Sequence, residues 1–89
     1  MDWLVYILKC SDNTLYTGAT NNIKKRVRDH NKGKGSAFTR GRLPVKLIVV
    51  SKKMEKGEAL SFEAKVKKLK RNKKIGFVLA SHLLFLDFD

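Results

Sequence analysis

The chain is poor in cysteine and in acidic side chains. Its 89 residues include one cysteine, Cys10, and eight acidic residues against twenty lysines and arginines. A lone cysteine excludes an internal disulfide, so the fold must depend on its core, and a reducing compartment is the simpler expectation. Cys10 follows an apolar run and nothing around it marks an activated nucleophile. We interpret it as a half-buried residue at a strand end.

Secretion is not expected from the sequence, which also has no internal repeat and no low-complexity linker beyond the loop at residues 32–35. Asp2 and Trp3 stand where a secretory signal would have a basic region leading into a long apolar stretch. The most apolar segment, near the C-terminus, is too short to span a bilayer. We therefore expect a cytoplasmic protein that makes no use of membranes, with association with the nucleoid as a further expectation. A chain of this length encloses one modest core, so residues 1–89 should form a single domain.

What the chain has in excess is positive charge. A formal net charge of +12 favours an anionic partner, either nucleic acid or an anionic membrane surface. All but one of the twenty basic residues lie between Lys24 and Lys74, which suggests that the partner is an extended backbone. Many small basic domains bind nucleic acid without any chemistry, and charge alone favours that simpler function.

Three segments are typical of β-strands. Residues 3–9 are apolar and rich in β-forming residues, a turn cluster follows at 11–13, and residues 14–18 form a second short segment. Together they predict a β-hairpin. Residues 45–50 form a β-branched run that is apolar on both faces, which predicts a third strand at the centre of the sheet.

Three further segments are typical of helices. Asn21 or Asn22 can cap a helix that runs to about Asn31. Apolar residues recur at helical spacing from 55 to about 71, which predicts an amphipathic helix that covers the sheet. A final apolar helix should span about 73–85, where packing or self-association as a homodimer is expected. The predicted fold is α+β, a small three-stranded mixed sheet flanked by helices in the order ββαβαα.

The first predicted helix separates two arginines by their position around its axis. Ile23, Arg26, Val27 and His30 fall within one arc, whereas Arg28 points elsewhere. A partly desolvated guanidinium at the border of the packed face can grip a phosphate through two hydrogen bonds. The alternative is that Arg26 is one more solvated cation in a basic segment, and it would then contribute only its charge. His30 lies near the helix C-terminus, where a cationic imidazole is favoured and a cap or surface residue is the common case.

Two tyrosines and one carboxylate each have two interpretations. Glu63 can form an ion pair with Lys67 four residues later, or it can bind a hard cation such as Mg²⁺ together with phosphate oxygens and waters. Tyr6 and Tyr16 lie on adjacent predicted strands, where aromatic pairs stabilise a sheet. A phenol near cations or a metal-bound water can instead act as a base.

The ordered set Val5-Tyr6-Ile7, Tyr16-Thr17-Gly18, Arg26, His30 and Glu63 resembles the GIY-YIG nuclease superfamily. Residues 33–42 resemble its small stand-alone YhbQ-like members, the UPF0213 type. Val5 and Thr17 depart from the family's glycine and isoleucine, but neither position supplies a reacting group. The resemblance implies a Mg²⁺- or Mn²⁺-dependent endonuclease, a hydrolase of phosphodiester bonds that acts on nucleic acid, DNA foremost, with low sequence specificity. It also implies five catalytic residues, which are Tyr6, Tyr16, Arg26, His30 and the metal ligand Glu63.

Members of the superfamily differ over which tyrosine is the base, and Tyr6 is preferred here. Gly33-Lys34-Gly35 lacks the spacing of a nucleotide P-loop, and we interpret this loop and its basic neighbours as a flexible rim that touches the nucleic acid backbone. The predicted backbone contacts are Lys25, Lys34, Thr39, Arg40, Arg42 and Lys67. The alternative is a module of the same fold that binds nucleic acid without cleaving it, and the presence of all five family residues argues against it.

Overall fold

The computed structural model describes residues 1–83. The elements are, in chain order, β1 (Leu4–Lys9), β2 (Leu15–Thr20), α1 (Ile23–Asn31), α2 (Ala37–Arg40), β3 (Lys46–Val50), α3 (Lys56–Lys68) and α4 (Arg71–Leu83). The α+β fold and the order ββαβαα of the strands and long helices are confirmed, and the one-turn helix α2 is an addition. The predicted continuation of the last helix to about residue 85 lies outside the described residues.

The hairpin forms where the sequence predicts it. β1 and β2 pair antiparallel, with Leu4 opposite Thr20 and Lys9 opposite Leu15. The turn between them places Asn13 at φ 69°, a left-handed conformation that asparagine adopts more readily than most residues. β2 continues to Thr20, two residues beyond the predicted segment, so both strands are of equal length.

The strand order of the sheet is β2-β1-β3, and both pairings are antiparallel. The sheet is thus antiparallel throughout, where a mixed sheet was expected, and the prediction of β3 as the central strand is wrong. β3 lies at an edge, because the connection through α1 and α2 returns the chain to the free side of β1. Leu47 and Ile48 of β3 remain 43% and 40% exposed, whereas β1 is buried from Leu4 to Leu8.

Alternation along β1 divides its side chains between two packed layers. Val5 and Ile7 face α3 and α4, in a cluster that includes Ala59, Val66 and Val78. Leu4, Tyr6 and Leu8 face the opposite side, in a cluster that Ile23 and Val27 of α1 pack against. The sequence therefore places the Tyr6 ring in the layer between the sheet and α1.

Polar side chains fix where the helices of this layer begin. Asn22 caps α1, since its side-chain oxygen accepts the Lys25 backbone N–H at 3.2 Å, which selects Asn22 over Asn21. Ser36 caps α2 by accepting the Thr39 backbone N–H at 3.1 Å. No helix within residues 1–83 has both the length and the apolar character needed to cross a membrane.

Candidate active site

The Tyr6 hydroxyl contacts two polar side chains of α1, those of Arg26 and His30. Arg26 donates from Nε to the Tyr6 oxygen at 3.3 Å, and His30 Nε2 lies at hydrogen-bonding distance, 3.0 Å, from the same oxygen. Arg26 also donates to the Gly35 carbonyl at 3.1 Å. Tyr6 and His30 are wholly buried and Arg26 is half-buried. The prediction that Arg26 borders the packed face of α1, whereas Arg28 points away from it, is therefore confirmed.

The second ring nitrogen of His30 is also held. Its Nδ1 lies 2.8 Å from Thr39 Oγ1, and the Thr39 hydroxyl donates to the Ser36 carbonyl at 3.4 Å. The prediction that Thr39 contacts nucleic acid is wrong, because this side chain is wholly buried. The α2 turn directs it inward onto the imidazole. We call Arg26, Tyr6, His30 and Thr39 the buried relay.

Two glycines allow the relay to pack this closely. Gly18 is the register partner of Tyr6, and a Cβ atom on Gly18 would overlap the Tyr6 hydroxyl. A Cβ atom on Gly35 would likewise overlap the imidazole of His30. Sequence reasoning assigned neither glycine a role in the site. The strand pairing of the two tyrosine tripeptides is the one sequence signal that brings Gly18 near Tyr6.

Burial sets the protonation states of the relay. Burial raises the pKa of the Tyr6 phenol, and the hydrogen bond from Arg26 opposes that rise. Burial also lowers the pKa of His30, and the positive charge of Arg26 lowers it further. The cationic imidazole expected near the end of α1 is thus corrected to a neutral one, since desolvation outweighs the helix terminus. At neutral pH a protonated phenol faces a neutral imidazole.

Tyr16 connects the relay to an open cleft. Its ring centroid lies 5.1 Å from that of His30 and 6.4 Å from that of Tyr6. Tyr16 is half-buried and lines a cleft of about 240 Å³ together with Phe38, Lys67 and Lys74. A phosphate that enters this cleft would lie beside Tyr16 and near two lysines. The Lys67 ammonium pairs with Glu63, and the Lys74 ammonium donates to the carbonyls of Val66 and Lys67.

Glu63 lies at the same side of the molecule, on α3. Its carboxylate forms the expected i, i+4 ion pair with Lys67, with 2.9 Å between the two charged atoms, and its side chain is 18% exposed. Burial is the main cause of the raised pKa of Tyr6, and the charge of Glu63 adds to it. The carboxylate is therefore within electrostatic reach of the relay.

A divalent cation at Glu63 would depend on a small set of protein ligands. Residues 1–83 contain no cluster of three or more His, Cys, Asp or Glu side chains suited to hold a metal. Glu63 would then supply one carboxylate, with phosphate oxygens and waters completing the shell. This donor set fits Mg²⁺, which keeps much of its hydration shell in nucleotide and nucleic acid sites.

The remaining predicted nucleic acid contacts fall into two groups. Lys25, Lys34, Arg40 and Lys67 are exposed cations, three of which also have partners on the protein surface: Asp29 for Lys25, the Gly33 carbonyl for Arg40 and Glu63 for Lys67. Arg42 is instead engaged within the protein: it donates to Asp12 at 3.0 Å and to the Phe38 carbonyl at 2.6 Å. Its guanidinium also lies 4.0 Å above the Phe38 ring. Arg42 thus holds the cleft wall against the hairpin turn.

The chain resembles known proteins over most of its length. A sequence profile of the GIY-YIG catalytic domain matches residues 2–75. The chain is 53% identical to a UPF0213 protein of Clostridium perfringens, over 83% of this chain and 80% of that protein. It is 45% identical to a UPF0213 protein of Natronomonas pharaonis, over 82% and 86%. The fold is also similar to the solution NMR structure of a UPF0213 protein from Bacillus halodurans, with a TM-score of 0.52 and 40% sequence identity. The match covers 97% of this chain and 85% of that protein.

Proposed function

Because this chain belongs to the GIY-YIG family of nucleases and to its UPF0213-type members, we propose that it is a metal-dependent endonuclease. It hydrolyses phosphodiester bonds of nucleic acid, DNA foremost, with little sequence specificity. The observation that carries the proposal is the Tyr6 hydroxyl, which lies in hydrogen-bonding distance of both Arg26 and His30. A phenol held between a cation and a neutral base is suited to transfer a proton at a phosphate.

The proposed step begins with a water that attacks phosphorus. The Tyr6 oxygen is buried in the free protein, so the step requires that nucleic acid binding admits the water to it. As the water gives a proton to the Tyr6 oxygen, the phenol's own proton can pass to Nε2 of His30. Arg26 stabilises the negative charge that develops on the phosphate, while the tyrosine, which gives up one proton as it gains another, stays neutral. Tyr16, at the cleft, orients the water or the phosphate. Tyr6 is preferred as the base because Arg26 and His30 both contact it.

Glu63 is the residue we assign to the metal, Mg²⁺ or Mn²⁺. When bound, such an ion stabilises charge on the leaving oxygen as a Lewis acid. Lys67 and Lys74, which line the cleft with Tyr16, hold the phosphates next to the scissile one. The net charge of +12 supports backbone binding that does not depend on sequence.

The setting of the activity is part of the same proposal. We take residues 1–89 to form one catalytic domain that acts inside the cell, in the cytoplasm or at the nucleoid. Leu79 and Leu83 lie one turn apart on α4 and are 51% and 59% exposed. They support a homodimer through this apolar surface. Light scattering of the wild type and of Leu79→Lys tests the dimer, which should dissociate in the variant.

The deciding experiment offers the purified protein a panel of substrates. Labelled single-stranded, duplex and flap DNA, and matching RNA, are incubated with Mg²⁺, with Mn²⁺ or with chelator. We expect cleavage only with metal, at many positions within the preferred substrate. Tight binding of the same substrates with no cleavage under any metal would favour the alternative, a binding module of the same fold.

A further inference from the structure

We propose that Thr39 is a positioning residue for the proposed nuclease reaction. Its hydroxyl accepts the Nδ1–H of His30 and so fixes the imidazole tautomer in which Nε2 is free to take the proton of Tyr6. The catalytic consequence rests on the proposed function. The tautomer is a property of the free protein and can be measured without any substrate.

The direction of the hydrogen bonds follows from counting the hydrogens at Tyr6. The partners of its hydroxyl are Arg26 Nε, 3.3 Å away, and His30 Nε2, 3.0 Å away. An arginine can only donate, so the phenol hydrogen has Nε2 as its acceptor. A hydrogen on Nε2 would leave the buried Tyr6 hydrogen without an acceptor, a costly arrangement in a residue with no exposed surface.

The same count fixes the other end of the relay. A neutral imidazole that accepts at Nε2 carries its hydrogen on Nδ1, and Thr39 Oγ1 lies 2.8 Å from that nitrogen. The Thr39 hydroxyl then gives its own hydrogen to Ser36, whose hydroxyl lies 3.0 Å away and whose carbonyl lies 3.4 Å away. Every bond then runs one way, from Arg26 through Tyr6, His30 and Thr39 to Ser36. No buried side-chain nitrogen or oxygen within residues 1–83 lacks a partner.

The local structure holds Thr39 rigidly at this position. Ser36 accepts the Thr39 backbone N–H at 3.1 Å, and the Thr39 carbonyl accepts the Arg42 N–H at 2.9 Å. Gly35, without a side chain, leaves room for the imidazole beside this turn. The loop that the sequence suggests is a flexible rim is therefore the wall that orients His30. The orientation of His30 also favours Tyr6 over Tyr16 as the base, because Tyr6 is the phenol in contact with Nε2.

Nitrogen-15 NMR of the imidazole rings tests the assignment directly. In the wild type at neutral pH we expect His30 to be neutral with its hydrogen on Nδ1, and the exposed His82 supplies the second imidazole signal for comparison. Thr39→Ser should keep this tautomer, and Thr39→Val should shift the ring toward the Nε2–H form. Single-turnover cleavage should fall about 10- to 100-fold in Thr39→Val at unchanged nucleic acid affinity. Thr39→Ser should restore most of it.

A matched Thr14→Val variant, in the hairpin turn, should change neither the tautomer nor the cleavage rate. Hydrogen on Nε2 in the wild type overturns the inference, as does an unchanged tautomer or an unchanged rate in Thr39→Val. If Thr39→Val fails to fold, the wild-type and Thr39→Ser spectra still decide the tautomer. A wild type that cleaves nothing but shows the Thr39-dependent Nδ1–H form supports the positioning and overturns the nuclease proposal.

Discussion

The buried relay and the exposed cations differ in their contact with solvent and in how far each side chain depends on its neighbours. Tyr6, His30 and Thr39 have no exposed surface, and each contacts the next at hydrogen-bonding distance. Lys34 and Arg40 lie in solvent, where salt screens charge and one cation can replace another. Removing a relay group leaves its buried partner unpaired, which is costly. The relay should therefore govern the rate, and the exposed cations should govern binding.

The largest effect that would test this division is at Glu63. Glu63→Ala and the near-isosteric Glu63→Gln should abolish metal-dependent cleavage and leave binding nearly intact, because one carboxylate is a small part of the electrostatic footprint. Cleavage and filter binding are measured at the same metal concentration. Full cleavage in either variant would remove Glu63 from the site. Loss of binding together with cleavage would instead indicate a structural role.

Arg26 and Arg28 offer the sharpest internal comparison, since both are cations on α1. Arg26→Lys should lower single-turnover cleavage by about 10²-fold or more, because lysine lacks the planar donors with which Arg26 holds Tyr6 and the Gly35 carbonyl while a further N–H meets the phosphate. Arg28→Lys, on the exposed face, should be nearly silent. Equal and mild losses in both would mean that α1 supplies only general charge, and the binding module would become the better proposal.

The glycines beside the relay test how tightly it is packed. Gly18→Ala and Gly35→Ala should each lower the free energy of unfolding by about 1–3 kcal/mol, because the added methyl overlaps Tyr6 or His30. Gly76→Ala, in the interior of α4 with open space around it, should raise it by up to about 1 kcal/mol. Urea denaturation measures all three. Wild-type stability in Gly18→Ala would show that the Tyr6 ring can move aside.

The pH dependence should report the neutral imidazole. Because the pKa of His30 is lowered in the folded protein, chiefly by burial, the unfolded chain takes up this proton first as the pH falls below about 6.5. Stability is thus present above that pH and is lost as the pH falls toward the folded pKa. Urea midpoints from pH 7.5 to 5 should decline in the wild type and change less in His30→Gln. Parallel declines would show that other groups dominate.

The smallest effect is expected among the exposed cations. Binding should weaken steeply with salt, and replacing Lys34 and Arg40 by alanine should reduce the log-log slope by roughly 0.7–0.9 for each phosphate that is no longer neutralised. The pH profile of cleavage should stay as in the wild type. Fluorescence anisotropy over a salt series measures the slope. A wild-type affinity that ignores salt would contradict the nucleic acid proposal altogether.

The sequence predicted those parts of the site that depend on local periodicity. Helical phase separates Arg26 from Arg28 because residues of one helix keep fixed angular positions whatever packs around them. Strand partners are not local, so the apolar run of β3 indicated a strand without telling which strand would be central. The strand that is buried on both faces is β1, in which five consecutive residues are buried.

The inward position of Thr39 was missed for a related reason. α2 is a single turn, too short to display a hydrophobic period, and a threonine among basic residues is typical of a surface loop. Ser36, a favourable N-cap residue three positions earlier, was the available signal. The neutral state of His30 depends on the burial that tertiary packing creates, and helix position alone pointed to the opposite charge.

The pairing of Tyr6 with Gly18 also acts as a check on assembly. If β2 shifted by two residues along β1, the side chain of Tyr16 or Thr20 would take the place of Gly18, against which the Tyr6 ring lies in the native pairing. Such a misaligned hairpin cannot bury Tyr6, and without that ring the layer under α1 loses its largest buried side chain. Chains that reach the compact state should therefore be the ones in which the groups proposed for catalysis already face each other.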